Sequence, residues 1–270
     1  MTTDAFSRRS GVRESIGEVA PPLLAGAAVI ASWQLFVVIF QPSPRVLPSP
    51  LAIAEAMVSE SRLLLLHTQI TLFTALTGFC AALILGVALG ALIISIPAIG
   101  DRMYPLLAAA DTVPKMAIAP LLIIFFGFGV VPRVMMAFLI ALFPIILGTV
   151  VGLRSTPPEM LFLARAVRAS WLRTMVKVRI PEALPSLLAG VKLGITLSVT
   201  GAMVGEFVAP REGLGYLLVT SAWQANGPMM FAGIVALSGL GLGLYLSVAW
   251  LERRVTWWHI GHRRLVHGSL

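Results

Sequence analysis

The sequence predicts an all-α, polytopic membrane protein with about six transmembrane helices, and three observations carry that expectation. Of 270 residues, 58% are hydrophobic and only 12% charged, against roughly 45–50% and about 25% in a soluble domain. With a mean hydropathy of +0.92, the chain has more apolar surface than one water-soluble core can hide, so much of it faces lipid. The same numbers exclude disorder. Apolar stretches also recur at about the 20-residue length that crosses a hydrocarbon core of about 30 Å. Finally, these stretches are too long and too little alternating for barrel strands. Inside lipid a backbone must satisfy its own hydrogen bonds, which leaves helices.

The first span is Pro21 to Phe40. Arg8 and Arg9 ahead of it could be mistaken for a secretory or twin-arginine signal. The apolar stretch runs into Gln-Pro-Ser-Pro without a small-x-small cleavage site, so it reads as a retained span. Gln41 to Pro50 carries four prolines and makes an outside loop. Leu51 to Leu66, with Glu55, Glu60 and Arg62, suits an amphipathic helix at the outer interface. The second span is Thr71 to Pro97, long enough to tilt. Pro105 to Gly127, Val134 to Leu153, Ala183 to Val208 and Met229 to Leu251 complete the six.

Six spans put both termini on one side. The N-terminus, the 98–104 loop, the 153–181 loop and the C-terminus hold 14 Lys and Arg, whereas the opposite loops hold 4 (Arg45, Arg62, Arg133 and Arg211). The positive-inside rule places the first set in the cytoplasm. The organisation is thus a cytoplasmic segment 1–20, a membrane domain 21–251 with the large loop 153–181, and a cytoplasmic tail 252–270. Topology accounts for most of the net charge of +8, so no nucleic-acid partner is needed; lipid is the partner that composition implies.

Charges inside spans are costly and normally face protein or water. Asp111 and Lys115 are four apart, acid first, as in a same-face helical pair. Two readings stay open for them: a structural ion pair that lets the span insert, or the lining of a polar path. Pro114 and Pro120 predict a kinked or broken helix there. Lys192 and Glu206 lie in the fifth span, too far apart along one helix to pair with each other. Gly190 with Gly194, Gly201 with Gly205, and Gly86 with Gly90 have the small-xxx-small spacing of close helix packing. The lone Cys80 reads as a buried small hydrophobe.

In the large loop, Pro157, Pro158 and Glu159 form a helix start, and apolar residues mix with Arg165 and Arg168. A lipid-surface helix needs no more than this; a helix that passes force to a soluble partner is the sharper reading. No lysine has the glycine before it and the Ser or Thr after it that a phosphate-cradling P-loop requires. No zinc-hydrolase motif or nucleophile elbow occurs. His259, His262 and His267 belong with a solvated basic tail that Trp257 and Trp258 anchor at the interface.

The loop resembles the cytoplasmic coupling segment, or EAA motif, of ABC importer permeases. Aligned on Ile180-Pro181-Glu182-Ala183-Leu184-Pro185, Ala164 takes the second alanine and Ala169-Ser170 the usual Ala-Ser. Phe162 stands where that motif has Glu, and Arg168 where it has Gly. Leu47-Pro48-Ser49-Pro50, the run Val113 to Leu121, Phe126-Gly127-Phe128-Gly129, Phe143-Pro144-Ile145, and Gly205-Glu206 followed by Gly213-Leu214-Gly215-Tyr216 are similar to segments of the nitrate, sulfonate, taurine and bicarbonate group. Ala75 departs from the Arg of many members.

The resemblance implies a type I ABC importer permease fold of the MetI-like kind in a bacterial inner membrane. It also implies a homodimer, or a pair of like permeases, with the substrate path between them, and an extracytoplasmic substrate-binding protein. Two cytoplasmic ATPase subunits would bind ATP and Mg and grip the 159–171 region, with no cofactor in this chain. Glu159, Ala164, Arg165, Arg168, Ala169 and Ser170 would then couple to the ATPase, and Asp111, Lys115, Lys192 and Glu206 would line the path. Cations in the path fit a small organic or inorganic anion such as a sulfonate, nitrate or aromatic carboxylate, although relatives also carry neutral or cationic pyrimidine precursors. A stand-alone secondary transporter or channel is the alternative. It would have only those four intramembrane charges for its own coupling, and no use for the basic loop.

Overall fold

Every regular element among the described residues is helical, as runs without period-two alternation require. The structure is a computed structural model that describes residues 21, 24–96, 109 and 111–256. The basic N-terminal segment, the 98–104 loop with Arg102, and the tail with Trp257, Trp258 and the histidines lie outside the described residues. The chain divides into two compact bodies, residues 1–61 with 220–232 and residues 62–219 with 233–270.

In the first body, α1 (Leu24–Phe40) is followed by the proline-rich turn and α2 (Pro50–Ser59). Ser49 caps α2 by accepting from the Ala52 N–H at 3.1 Å, and Pro50, which has no N–H to lose, begins the helix. Trp33 packs its ring at 5.8 Å from that of Phe231. The interfacial helix predicted over Leu51–Leu66 is shorter than expected. It ends at Ser59, the Glu60 N–H turns back to the Ala56 carbonyl at 3.0 Å, and a new helix begins at Ser61. Leu63 to Leu66 are uniformly apolar and continue into the span rather than along the surface.

That helix, α3 (Ser61–Ser95), has 35 residues, about 52 Å at the α-helical rise. The third apolar run is interrupted, as its prolines predict. Helix ends at Thr112, Val113 precedes Pro114 and leaves the helical region, and a 3₁₀ turn (Lys115–Ile118) leads into α4 (Ala119–Phe126). Next come α5 (Val130–Arg154) and α6 (Pro158–Ala166). Then α7 (Trp171–Thr174), a π-helical turn (Met175–Arg179) and α8 (Ile180–Val208) run on as one helix over Trp171–Val208. The last elements are α9 (Leu214–Trp223) and α10 (Gly227–Val255). By length and composition α3, α5, the continuous helix ending in α8, and α10 can each cross a membrane; α1 and the Lys115–Phe126 run are shorter apolar helices.

The second body is built on α5 against α8, zipped by glycines. A Cβ placed on Gly190 would lie 2.6 Å from the Pro144 carbonyl oxygen, and one on Gly201 2.6 Å from that of Met136. Gly148 meets Gly190, Gly152 meets Ala183, and Gly205 meets Arg133. Helix α3 approaches α5 in the same way at Gly78, Gly86 and Gly90. The small-residue pairs therefore pack helices, allowing backbones to touch where lipid supplies no hydrophobic driving force. Phe79, Ala82, Ala141, Ile145, Val191 and Ile195 form the core between them. Ala75 is fully buried against Ala137, Val199 and Ala202, a site with no room for an arginine. Cys80, predicted buried, is exposed, because it falls off the face of α3 that carries Gly78, Ala82 and Gly86.

Candidate functional site

The large loop folds into a helix–turn–helix that leaves its apolar side chains uncovered. Pro158 starts α6, and Glu159 stands exposed in its first turn, where the helix dipole favours an acid. Ala164 is buried and seats the helix, while Phe162, Leu163 and Val167 are exposed, Phe162 to 75%. The helix stops in a Schellman turn: the Arg168 N–H donates to the Arg165 carbonyl and the Ala169 N–H to the Ala164 carbonyl, each at 2.9 Å. Such a turn needs a left-handed residue, and Arg168 adopts φ 51°, which gives the glycine of the resembled motif its physical reason. Ser170 caps α7 by accepting from the Arg173 N–H at 3.4 Å, and Ala169 is half-buried. Arg165 joins Leu161, Trp171 and Arg179 around an open hollow. The segment thus presents apolar and basic side chains side by side.

The four intramembrane charges each find partners. Lys115 Nζ donates to the Asp111 carboxylate and, at 3.0 Å, to the Asp111 carbonyl oxygen. The predicted pair forms, yet across the break at Val113-Pro114 rather than along a continuous helix. Both residues keep exposed surface, 22% for the lysine side chain and 42% for the aspartate. Lys192 donates to Glu252 of α10 at 2.6 Å, with the Tyr245 ring at 6.0 Å. Glu206 has no exposed surface and offers none to a path within this chain.

Around Glu206 lies a buried polar lock that reasoning from sequence missed. Thr71 of α3 donates to the Glu206 carboxylate at 2.9 Å and accepts from the Leu214 N–H at 2.8 Å. Glu206 also accepts from the Gly215 N–H at 2.8 Å, and His67 Nδ1 accepts from the Gly213 N–H at 3.0 Å. The Leu214 and Gly215 donors are the first N–H groups of α9, which otherwise would have no partner, and the Gly213 N–H immediately precedes them. Arg133, counted from sequence as an outside-loop charge, lies in the first turn of α5 at 2% exposure. Its guanidinium donates to the Gly129 carbonyl, the Glu212 carbonyl and, at 2.8 Å, the Glu212 carboxylate. Gly213 sits at φ 104°, and a Cβ there would fall 2.2 Å from the Glu206 carboxyl carbon. A signal existed: His67 and Thr71 continue the stripe of Thr74, Ala75, Gly78 and Ala82 that α3 buries. Among the described residues no group of His, Cys, Asp or Glu is placed to hold a metal ion.

Residues 82–257 match the family described as binding-protein-dependent transport system inner membrane component. A probable ABC transporter permease protein of Haemophilus influenzae is 34% identical over 236 residues, covering 87% of this chain and 96% of that protein. The riboflavin transport system permease protein RibX of Chloroflexus aurantiacus is 38% identical over 232 residues, with 85% and 87% covered. The putative aliphatic sulfonates transport permease protein SsuC of Bacillus subtilis is 31% identical over 244 residues, with 87% and 86% covered. Among solved structures, an inward-facing conformation of the MetNI methionine ABC transporter shares the fold, with a TM-score of 0.66 at 19% identity, over 73% of this chain and 98% of that one. The chain therefore belongs to the binding-protein-dependent transport system inner membrane component family, and it is a multi-pass inner-membrane permease subunit of an ABC importer.

Proposed function

We propose that two copies of this chain form the translocation path of an importer for a small organic or inorganic anion. Cytoplasmic ATPase subunits would dock on the segment from Glu159 to Ser170, and an extracytoplasmic binding protein would dock at the opposite end. Both termini then face the cytoplasm. The ATPase subunits bind ATP and Mg; this chain has no nucleotide site of its own and does no covalent chemistry. The carrying observation is α6 and the turn after it, where Phe162, Leu163 and Val167 are uncovered beside Arg165 and Arg168. An apolar surface flanked by cations is costly to leave in water and fits a partner groove with an acidic rim. A self-sufficient transporter has no use for it.

Asp111 and Lys115, half exposed beside the broken helix, are the residues of this chain best placed to line a path. Sulfonates are supported by relatives named for aliphatic sulfonate and taurine transport. A flat heteroaromatic solute is the second reading. Relatives named for riboflavin and formylaminopyrimidine transport favour it, and so does the neutralisation of Lys115 by Asp111.

Two measurements test the proposal. Co-expression with the cognate ATPase subunits should yield a complex, and reversing charge with Arg165→Glu and Arg168→Glu should abolish uptake while the protein stays in the membrane. Unchanged uptake in the double variant overturns the docking role. Competition of labelled taurine uptake by alkanesulfonates against riboflavin separates the two substrate readings.

A further inference from the structure

The buried lock fastens one loop to the end of the longest helix, and it does so with groups that are expensive to bury. Arg133 and Glu206 are both withdrawn from solvent, one held on Glu212 and the other on Thr71 and a backbone N–H, and burying charged groups in this way is weak evidence for added stability. What it does supply is a single geometry. Loop 209–213 and the first N–H groups of α9 are held at five points: by His67 and Thr71 from α3, by Glu206 from α8, and by Arg133 from α5 at two atoms of Glu212.

The helices that carry the lock are themselves immobilised against one another. Glycine contacts join α5 to α8 from Gly152 and Ala183 at one end to Arg133 and Gly205 at the other, about 33 Å along α8. The π turn and α7 extend α8 without a break toward α6, which hangs from the other end of α5. Short turns at 155–157 and 167–170 join α6 to α5 and α7, and beyond them the path to the lock is continuous helix.

We propose that Thr71, Arg133 and Glu206 are positioning residues for coupling. They make the 209–215 turn move as one body with α5 and α8, so that contact of the binding protein with that end changes the disposition of α6 at the other. This rests on the importer reading above, in which the two ends lie on opposite sides of the membrane. The proposal assigns to the lock a role in signalling between partners in addition to holding the 209–215 turn.

The test uses the assembled transporter in nanodiscs, with ATP hydrolysis measured with and without substrate-loaded binding protein. Thr71→Val removes the hydroxyl that donates to Glu206 and accepts from Leu214. The loss of two buried hydrogen bonds should reduce stimulation by the binding protein about tenfold while basal hydrolysis stays within about twofold. Thr71→Ser, which keeps the hydroxyl, should restore it. Should Thr71→Val fail to assemble, Glu212→Gln removes the charge that Arg133 grips from a half-exposed position, and the same selective loss is expected. Stimulation that survives in the assembled variant overturns the proposal, as does an equal fall in basal and stimulated rates. A wild-type complex that ignores the binding protein overturns the importer reading, and this inference with it.

Discussion

Lys192 of α8 donates to Glu252 of α10 at 2.6 Å, and the two side chains are exposed by only 20% and 23%. The charge of Lys192 is thus balanced within the chain, between two membrane helices. Removing one partner leaves the other charge poorly solvated, whereas removing both leaves no unpaired charge. Lys192→Met or Glu252→Gln alone should cost about 2 kcal/mol, between the values for exposed and fully buried pairs. The double variant should recover most of that loss. Thermal denaturation of the detergent-solubilised protein checks it, and additive single effects would show that the pair has no coupling energy.

Arg168 occupies a left-handed position at the end of α6. Arg168→Gly should stabilise the turn after α6 by about 1 kcal/mol, because glycine adopts that φ without the Cβ clash. A raised midpoint of thermal unfolding is the readout. Uptake in the same variant asks separately whether the guanidinium contributes to docking.

The zipper between α5 and α8 predicts a sharp contrast among glycines. Gly201→Val places side-chain carbon against the Met136 carbonyl and the Ala137 backbone and should cost about 3 kcal/mol or abolish accumulation. Gly239→Ala in α10 meets nothing within 4 Å and should be neutral or slightly stabilising. Yield and protease resistance of the two variants check this directly.

Gly213→Ala should fail for two independent reasons, a φ of 104° and the Glu206 carboxylate in the place of the new methyl group. The variant should be degraded or lose the 209–215 turn as judged by limited proteolysis. Normal accumulation and resistance would mean the lock is looser than its geometry.

Lys115→Met removes the cation beside the broken helix. If Lys115 attracts an anionic substrate, uptake should fall while the complex still assembles and hydrolyses ATP. Full uptake would assign the lysine to holding Asp111 alone.

Much of the architecture was legible because lipid imposes length and continuity on every span. The runs now seen as α3, α5, α8 and α10 stand out in the sequence as apolar stretches, and Pro114 announced its break. Charge was harder to place. Arg133 looks like an outside-loop residue because it follows Gly127, Gly129 and Pro132, yet Pro132 lies in the first turn of α5 and its neighbour turns inward. Glu206 and Lys192 read as free intramembrane charges because their partners, Thr71 and Glu252, are 135 and 60 residues away. Periodicity reports which face of a helix is buried but not what waits there. The surface helix predicted to reach Leu66 stopped at Ser59 for a local reason, a single capping turn at Glu60 that composition does not register.

The π turn at Met175–Arg179 is, in effect, an α-helix carrying one surplus residue. Shortening the chain by a single amino acid at that bulge would let it relax into ordinary winding, keeping both flanking stretches in phase. The same excision a few positions later, inside α8, would rotate every glycine of the seam by about 100° away from its mate. The bulge is accordingly a place on this long rod where its length can change without unpicking the seam, a built-in tolerance for adjusting how far α7 extends beyond it.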